Sequence, residues 1–221
     1  MLLVAGSSAA QARQAAVSTM SETDLVDFER QPEGVKRLIR DALALTRRKL
    51  TYIFGSSNPA RGGMDCSGTI YYLLGQGGVR FNELPRQSDE MCAWVQAKSR
   101  FYRTRTATSL SHPEFANLQP GDLVFWSGTY SAGRRVLPVT HVMIYLGRSR
   151  STGKPVVFGA SDGRRYEGQK RTGVSLFDFV MPKPGAKAAI YGYGRIPGLV
   201  AASSRPSSSR GGFFNRLFGG G

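Results

Sequence analysis

The spacing of apolar residues changes along this 221-residue chain, and that change constrains the fold more than any other feature. Over residues 34–50 apolar side chains recur every three or four positions, which predicts an amphipathic helix. Further helices are predicted from Cys66 to the glycines at 75–78 and over 87–97. The later sequence contains short apolar and β-branched runs typical of strands, at 122–126, 140–146, 156–160 and 188–196. Helices followed by antiparallel strands predict an α+β fold.

Charge and composition narrow the class of protein. The chain has 30 Lys+Arg against 15 Asp+Glu, a net charge of +15, and 41% hydrophobic residues, enough to bury a core. This composition excludes acidic disordered and collagen-like proteins. Residues 123–221 hold 15 basic and 3 acidic side chains. The excess indicates an anionic partner such as nucleic acid, a membrane surface or an acidic polymer, or a basic face that only maintains solubility.

The cysteine count excludes two kinds of scaffold. Cys66 and Cys92 are too few for a disulfide framework, and two cysteines with two histidines argue against a structural zinc site. We therefore expect no metal and no cofactor. Cys92 lies in the middle of a predicted helix, where we interpret it as a packing residue. A disulfide between the two cysteines would require an oxidising compartment and would leave neither thiol free.

The two ends of the chain differ from its centre. Residues 1–12 resemble the last part of a secretory signal with its cleavage site, although an Ala-rich leader fits equally well. Residues 13–33 form an N-terminal extension and residues 34–197 the predicted domain. Residues 198–221 are a Ser/Gly/Arg-rich stretch with a short apolar end, and we expect a flexible tail. The apolar end suits docking on a membrane or a partner, and a disordered tail is the other interpretation.

Cys66 has the local setting of a nucleophile. It follows Asp65, a good N-cap, at the point where a Gly/Ser-rich loop becomes a helix. Free amides and the helix dipole in a first turn lower the pKa of a thiol, which favours the reactive thiolate. The Asp65 carboxylate opposes this shift, so activation also requires a nearby cation. A structural thiol is the other interpretation of Cys66.

A thiol nucleophile needs a base, and the chain offers two histidines. His112 precedes Pro113, which holds it extended and predicts a surface turn. His141 lies at the beginning of an alternating strand, where an imidazole facing a helix N-terminus can pair with a thiol. His141 is therefore the candidate base, unless it only caps the edge of the sheet.

Five segments in order carry a resemblance to a known family: Tyr-Ile-Phe-Gly at 52–55, Asp-Cys-Ser-Gly at 65–68, Leu-Pro-Arg-Gln-Ser at 84–88, Leu-Gln-Pro-Gly-Asp-Leu-Val-Phe-Trp at 118–126 and His-Val-Met-Ile-Tyr-Leu-Gly at 141–147. Together they resemble the NlpC-type cell-wall peptidases, which are papain-like cysteine hydrolases of peptidoglycan. The resemblance spans about residues 34–196. It implies a papain-like α+β fold whose nucleophile, at a helix N-terminus, packs on an antiparallel sheet.

The resemblance also implies roles for individual residues. Cys66 attacks an amide carbonyl, and His141 keeps the thiol ionised and then protonates the leaving amine. The Cys66 amide and the Tyr52 hydroxyl stabilise the oxyanion. Asp65 and Ser67 help to bind the free amine of a stem peptide. The implied substrate bond joins the γ-carboxyl of D-glutamate to a diamino acid, and the implied location is extracytoplasmic, beside an anionic cell envelope.

One position departs from the family pattern. The family places a polar third residue, usually histidine, one strand after the base, and this chain has Gly159 there. Ser161 is the candidate replacement, with Asp162, a backbone carbonyl or a plain Cys–His dyad as alternatives. Long basic loops at 127–138 and 148–155 are expected to reshape the cleft.

These departures keep two other functions open. One is a related papain-like amidase or acyltransferase that acts on another amide. The other is a non-catalytic basic domain that binds the cell envelope. Nucleic-acid binding is not expected, because the chain has no aromatic-rich basic motif.

Overall fold

The computed structural model describes residues 15–77 and 84–199. The predicted signal remnant at 1–12 and nearly all of the predicted tail at 198–221 lie outside these residues. Within them, three α-helices precede most of a six-stranded antiparallel sheet. This arrangement confirms the α+β prediction.

The helices are α1 (Glu33–Thr46), α2 (Cys66–Gln76) and α3 (Ser88–Lys98). α1 is amphipathic, and its buried face follows the predicted three- and four-residue spacing through Val35, Leu38, Ile39, Ala42 and Leu43. α2 is apolar along most of its length because it packs between α1 and the sheet. No helix in the described part of the chain is long and apolar enough to cross a membrane.

The strands form two sheets. β1 (Thr51–Tyr52) pairs in parallel with β2 (Gly63–Met64), on either side of the loop that precedes α2. The main sheet contains β3 (Phe101–Arg103), β4 (Leu123–Ser127), β5 (Val139–Arg148), β6 (Pro155–Tyr166), β7 (Gln169–Asp178) and β8 (Ala189–Gly194). Its spatial order is β3-β8-β4-β5-β6-β7, so β5 lies inside the sheet.

The sheet departs from the sequence prediction in three strands. β3 and β7 were not predicted, and β6 extends well past the expected end at residue 160. β6 and β7 form a long hairpin whose turn places Glu167 and Gly168 at φ values of 49° and 77°. Two consecutive positive φ values are typical of a type I′ turn, which matches the twist of paired strands. The charged residues beside this turn are not typical of strands, so the sequence does not predict that the segment is β-structure.

Both faces of the main sheet are covered. The helices pack on one face, through Val142 and Ile144 of β5 among others. The opposite face carries an aromatic cluster that includes Trp126, Phe177 and Tyr193. β5 is therefore buried on both sides, which explains its nearly continuous apolar sequence.

The N-terminal extension packs against the domain. Leu25 and Phe28 are 1% and 2% exposed, and both belong to the helix-side core. Ala16 bridges to Thr172 of β7, and Leu25 bridges to Ser149 after β5. The described part of this extension therefore contributes buried apolar surface to the domain.

Candidate active site

The loop before α2 is fixed by one carboxylate. Asp65 caps the helix, and its Oδ1 accepts a hydrogen bond from the Gly68 amide at 2.6 Å. Its Oδ2 accepts from the Gly55 amide at 2.8 Å, which ties the preceding loop to the helix start. Gly68 allows a close approach, because a Cβ there would lie 2.1 Å from the Ser56 carbonyl oxygen. The predicted N-cap is confirmed, and Cys66 is the first helical residue.

Arg86 supplies the cation that the sequence analysis required near the thiol. Its Nη2 donates to Asp65 Oδ2 at 3.0 Å, and its Nη1 donates to Ser67 Oγ at 2.9 Å. Arg86 belongs to the 84–88 segment, but no local pattern in the sequence indicates this role for it. Because the oxygen atoms of Asp65 and Ser67 already accept these bonds, their predicted binding of a substrate amine stays a prediction.

The Cys66 thiol is protonated at rest. Burial, followed by the Asp65 carboxylate, raises its pKa to about 11. The Val142 and Ser67 amides and the Arg86 guanidinium oppose the rise without cancelling it. The expectation of a thiol pKa lowered by the helix N-terminus is therefore wrong for the resting protein. The Ser67 amide of the helix lowers the pKa as expected, but desolvation in this buried position outweighs it.

His141 lies in β5, beside the head of α2. The amide of the next residue, Val142, contacts the Cys66 thiol, so this strand passes the nucleophile directly. The imidazole is 7% exposed, and its ring centroid lies 5.6 Å from that of Trp126. Burial, with a contribution from the Arg164 charge, lowers its pKa well below the ordinary value. The resting protein therefore holds a neutral thiol and a neutral imidazole.

One nitrogen of the imidazole is left without a hydrogen bond in the described part of the chain. Among the residues that the structure describes, none hydrogen-bonds to His141 Nε2, although this atom is buried. At Gly159 a Cβ would lie 2.9 Å from Met143 Cγ, so Met143 fills the space in which a third side chain would begin. Ser161 is buried on the same strand and lines a cavity with His141. Its role as the third residue stays a prediction, because Ser161 forms no hydrogen bond with Nε2 in the described structure.

Two adjoining cavities form the cleft. We call the smaller one, about 220 Å³, the thiol side; Asp65, Cys66, Ser67 and Arg86 contribute to its lining. We call the larger one, about 500 Å³, the imidazole side; His141, Ser161 and Arg164 contribute to its lining. Tyr52, Phe54 and Tyr130 line both. The structure thus gathers all six site residues predicted from sequence around one cleft.

The predicted long loop at 127–138 contributes to the walls of both cavities. Its Tyr130 ring meets the exposed Phe54 ring edge-on at 6.0 Å between centroids. Arg135 anchors the loop, donating to the Tyr130 hydroxyl at 2.5 Å and to Asp89 Oδ1 at 2.7 Å. The Val136 amide donates to Asp89 Oδ2 at 3.0 Å. Nothing in the local sequence indicated that Tyr130 would face the nucleophile.

The remaining histidine and cysteine are structural. His112 caps a short turn and accepts a hydrogen bond from the Glu114 amide at 3.2 Å, as its predicted surface turn requires. Cys92 is fully buried in α3, where burial raises the pKa of its thiol to about 12. Both cysteines are free thiols, so no disulfide joins them.

Comparison with known proteins identifies the family of this chain. The profile of the NlpC/P60 family matches residues 49–165, more than half of the chain, and this range contains Cys66, His141 and Arg164. The chain is also 30% identical, over 157 residues, to the gamma-DL-glutamyl hydrolase of Bacillus subtilis (strain 168). That match covers 66% of this chain and 31% of the relative, so the chain spans about a third of the relative's length. The chain belongs to the NlpC/P60 family.

Proposed function

We propose that this protein hydrolyses an amide bond in peptidoglycan stem peptides, between the γ-carboxyl of D-glutamate and a diamino acid. The observation that carries the proposal is the cleft itself, in which the Cys66 thiol at the head of α2 lies beside the strand of His141. The family membership and the name of the glutamyl hydrolase relative support this choice of substrate.

The first chemical step follows from the resting protonation states. Because thiol and imidazole are both neutral, His141 removes the proton as the Cys66 sulfur bonds to the carbonyl carbon. The π electrons of the carbonyl move to its oxygen, which becomes an oxyanion. His141 therefore acts as a general base during attack, and no thiolate–imidazolium pair has to exist beforehand.

Two donors can stabilise that oxyanion. The Cys66 amide is the first of α2, and no acceptor for it exists among the described residues. Tyr52 lines both sides of the cleft, and burial together with neighbouring acidic groups raises the pKa of its hydroxyl. Tyr52 therefore keeps its proton at neutral pH and can donate it in a hydrogen bond.

The reaction then passes through a thioester. The oxyanion collapses, the C–N bond breaks, and the His141 imidazolium transfers its proton to the leaving amine of the diamino acid. Water next attacks the thioester while His141 takes one of its protons. The Cys66 thiolate leaves and recovers that proton, which restores the neutral pair. The product leaves as the γ-carboxylic acid, which loses its remaining proton to water and becomes the carboxylate.

Digestion of purified peptidoglycan tests this proposal. We expect the wild-type protein to release fragments with a new amino terminus at the diamino acid, identified by mass spectrometry. Cys66→Ala should release none. Cys92→Ala is the matched control, since it removes the other thiol and should leave the products unchanged. Equal release by Cys66→Ala and wild type would contradict the proposal.

The same proposal includes a location and a surface partner. We place the protein outside the cytoplasm, where its basic residues would hold it near the anionic cell envelope, and its apolar C-terminal end would contact a membrane or a partner. Sedimentation with purified cell walls should decrease as salt rises. Binding that is independent of salt would contradict the proposal that the basic residues hold the protein at the anionic envelope.

The unpartnered His141 Nε2 favours keeping a second candidate. A cleft without an orienting third residue suits a papain-like amidase or acyltransferase acting on another amide, or a domain that binds the envelope without catalysis. A panel of peptide and acyl amides separates these functions. Turnover confined to peptidoglycan fragments excludes both alternatives.

A further inference from the structure

A β-bulge directs Arg164 toward the cleft. Asp162 pairs with Thr172 and Arg165 with Lys170, so two residues of β6 oppose a single residue of β7. The first of the two is Gly163, whose φ of 99° few other residues adopt without strain. Bulges of this kind turn a side chain out of its regular alternation and are common beside active sites.

Arg164 lies on the imidazole side, and no described acidic residue forms an ion pair with it. Its guanidinium carbon is 4.5 Å from the centroid of the Trp126 ring, which gives the planar group a flat surface to stack on. Three other arginines each pair with a buried aspartate: Arg86, Arg135 and Arg195. By contrast, no aspartate or glutamate of residues 15–77 and 84–199 forms an ion pair with Arg164. Burial lowers the pKa of Arg164 to about 10, so it stays cationic at neutral pH.

Two neighbouring nitrogen atoms are also unsatisfied. His141 Nε2 and Trp126 Nε1 are buried and have no hydrogen-bond partner in the described structure. Buried polar groups are normally paired, because each unmade hydrogen bond costs free energy. His141 and Arg164 line the imidazole side, and the Trp126 ring lies behind them, in contact with both. A cation beside an unpaired imidazole nitrogen in one cavity indicates a ligand that brings negatively charged oxygen atoms.

We propose that Arg164 binds the free α-carboxylate of the D-glutamate residue in the substrate and so selects against stem peptides whose glutamate carries an α-carboxamide. The inference rests on the proposed function, because that substrate places a carboxylate close to the scissile γ-amide. A guanidinium presents two parallel N–H groups that match the two oxygens of a carboxylate. A carboxamide has one oxygen and no charge, so it loses most of this interaction.

Carboxylate binding also helps catalysis. The Arg164 charge disfavours the protonated imidazole, which forms when His141 takes the thiol proton. A bound carboxylate neutralises that charge and makes the imidazolium easier to form. The correct substrate should therefore gain in kcat as well as in KM.

Binding to Cys66→Ala tests the recognition without turnover. The probe is the γ-N-methylamide of L-alanyl-D-glutamate, with its α-carboxyl either free or as the carboxamide, measured by titration calorimetry. We expect the free acid to bind about tenfold or more tightly than the carboxamide. Adding Arg164→Met should remove the difference, and adding Arg164→Lys should restore part of it. Arg165→Met, which removes the next, exposed arginine, should leave the difference intact.

The outcomes separate this inference from the proposed function. Equal binding of the two probes, or a preference that survives Arg164→Met, overturns carboxylate recognition even if peptidoglycan is cleaved. A preference that depends on Arg164 supports carboxylate recognition. This holds even if the wild type cleaves neither probe, a result that would contradict only the proposed hydrolysis. Where the wild type does cleave them, Arg164→Met should lower kcat/KM for the acid toward that for the carboxamide, with the melting temperature unchanged.

Discussion

The thiol side and the imidazole side of the cleft differ in how their polar groups are satisfied. On the thiol side, the Asp65 carboxylate binds two backbone amides and Arg86, and Arg86 also binds Ser67. On the imidazole side, His141 Nε2 has no described partner and Arg164 has no described carboxylate. All the polar groups named on the first side are paired, whereas the second side leaves a cation and an imidazole nitrogen without partners among the described residues.

This contrast assigns different tasks to the two sides. A fully paired network fixes the position of the nucleophile and its backbone amide before any substrate arrives. Unpaired cationic and nitrogen groups cost stability and are kept where function uses them. We therefore interpret the thiol side as the preformed part of the machinery and the imidazole side as the part that senses the substrate.

The largest expected effect is the loss of the base. His141→Ala should lower kcat/KM for stem-peptide cleavage by about a thousandfold, since it removes the base that takes the thiol proton in the proposed first step. His112→Ala is the matched control and should retain wild-type activity, because His112 only caps a surface turn. Assays on released peptides measure both variants. Comparable losses of activity in the two variants would contradict the assignment of His141, rather than His112, as the base.

Thiol chemistry tests the neutral resting pair. With a Cys66 pKa of about 11, the thiolate fraction should grow about tenfold for each pH unit, so alkylation by iodoacetamide should speed up about a hundredfold from pH 7 to pH 9. The measurement uses Cys92→Ala, so that only Cys66 reacts. A fast rate that stays constant through this range would show a preformed thiolate and contradict the proposed first step.

Substitutions on the thiol side should destabilise the fold more than substitutions on the imidazole side. Asp65→Ala removes a helix cap and two further, partly buried hydrogen bonds, so it should lower the free energy of unfolding by about 2 kcal/mol. Arg164→Met should change it by less than about 0.5 kcal/mol, because no ion pair is lost and a methionine can replace the packing of Arg164 on the Trp126 ring. Denaturant unfolding of both variants measures the difference. Equal destabilisation would mean that the imidazole side is also a structural network.

The smallest expected effect is a gain. Gly159→His made together with Met143→Ala, which clears the contact at 2.9 Å, should give His141 an orienting partner. We expect kcat/KM to rise about tenfold relative to Met143→Ala alone, because an oriented imidazole transfers protons more effectively. An unchanged kcat/KM would show that orientation of His141 does not limit the reaction.

The parts of this molecule set by local sequence could be predicted. The helix start at Cys66 followed from an N-cap aspartate after a Gly/Ser-rich loop, and β5 followed from its apolar run. Both depend on neighbours within a few residues, where spacing rules apply. The position of His141 near the start of a strand follows in the same way, whereas its role as the base stays a prediction.

The remaining features depend on distant contacts. The Cys66 pKa is set by burial beneath segments that no local pattern reveals, so the predicted direction was wrong. β7 begins with charged residues that read as a loop until they pair with β6. Arg164 is positioned by a bulge and by Trp126 on another strand. The local sequence therefore does not distinguish Arg164 from the other basic residues.

The most direct measurement is the detection of the covalent intermediate. Wild-type protein should be mixed with a stem peptide, quenched in acid within one turnover, digested, and mapped by mass spectrometry. The account predicts the mass of the L-alanyl-γ-D-glutamyl group on the peptide that contains Cys66, bound as a hydroxylamine-sensitive thioester, with the Cys92 peptide unmodified. Hydrolysis of the substrate without any acyl group on Cys66 across the time course, or with the group on another residue, would contradict it.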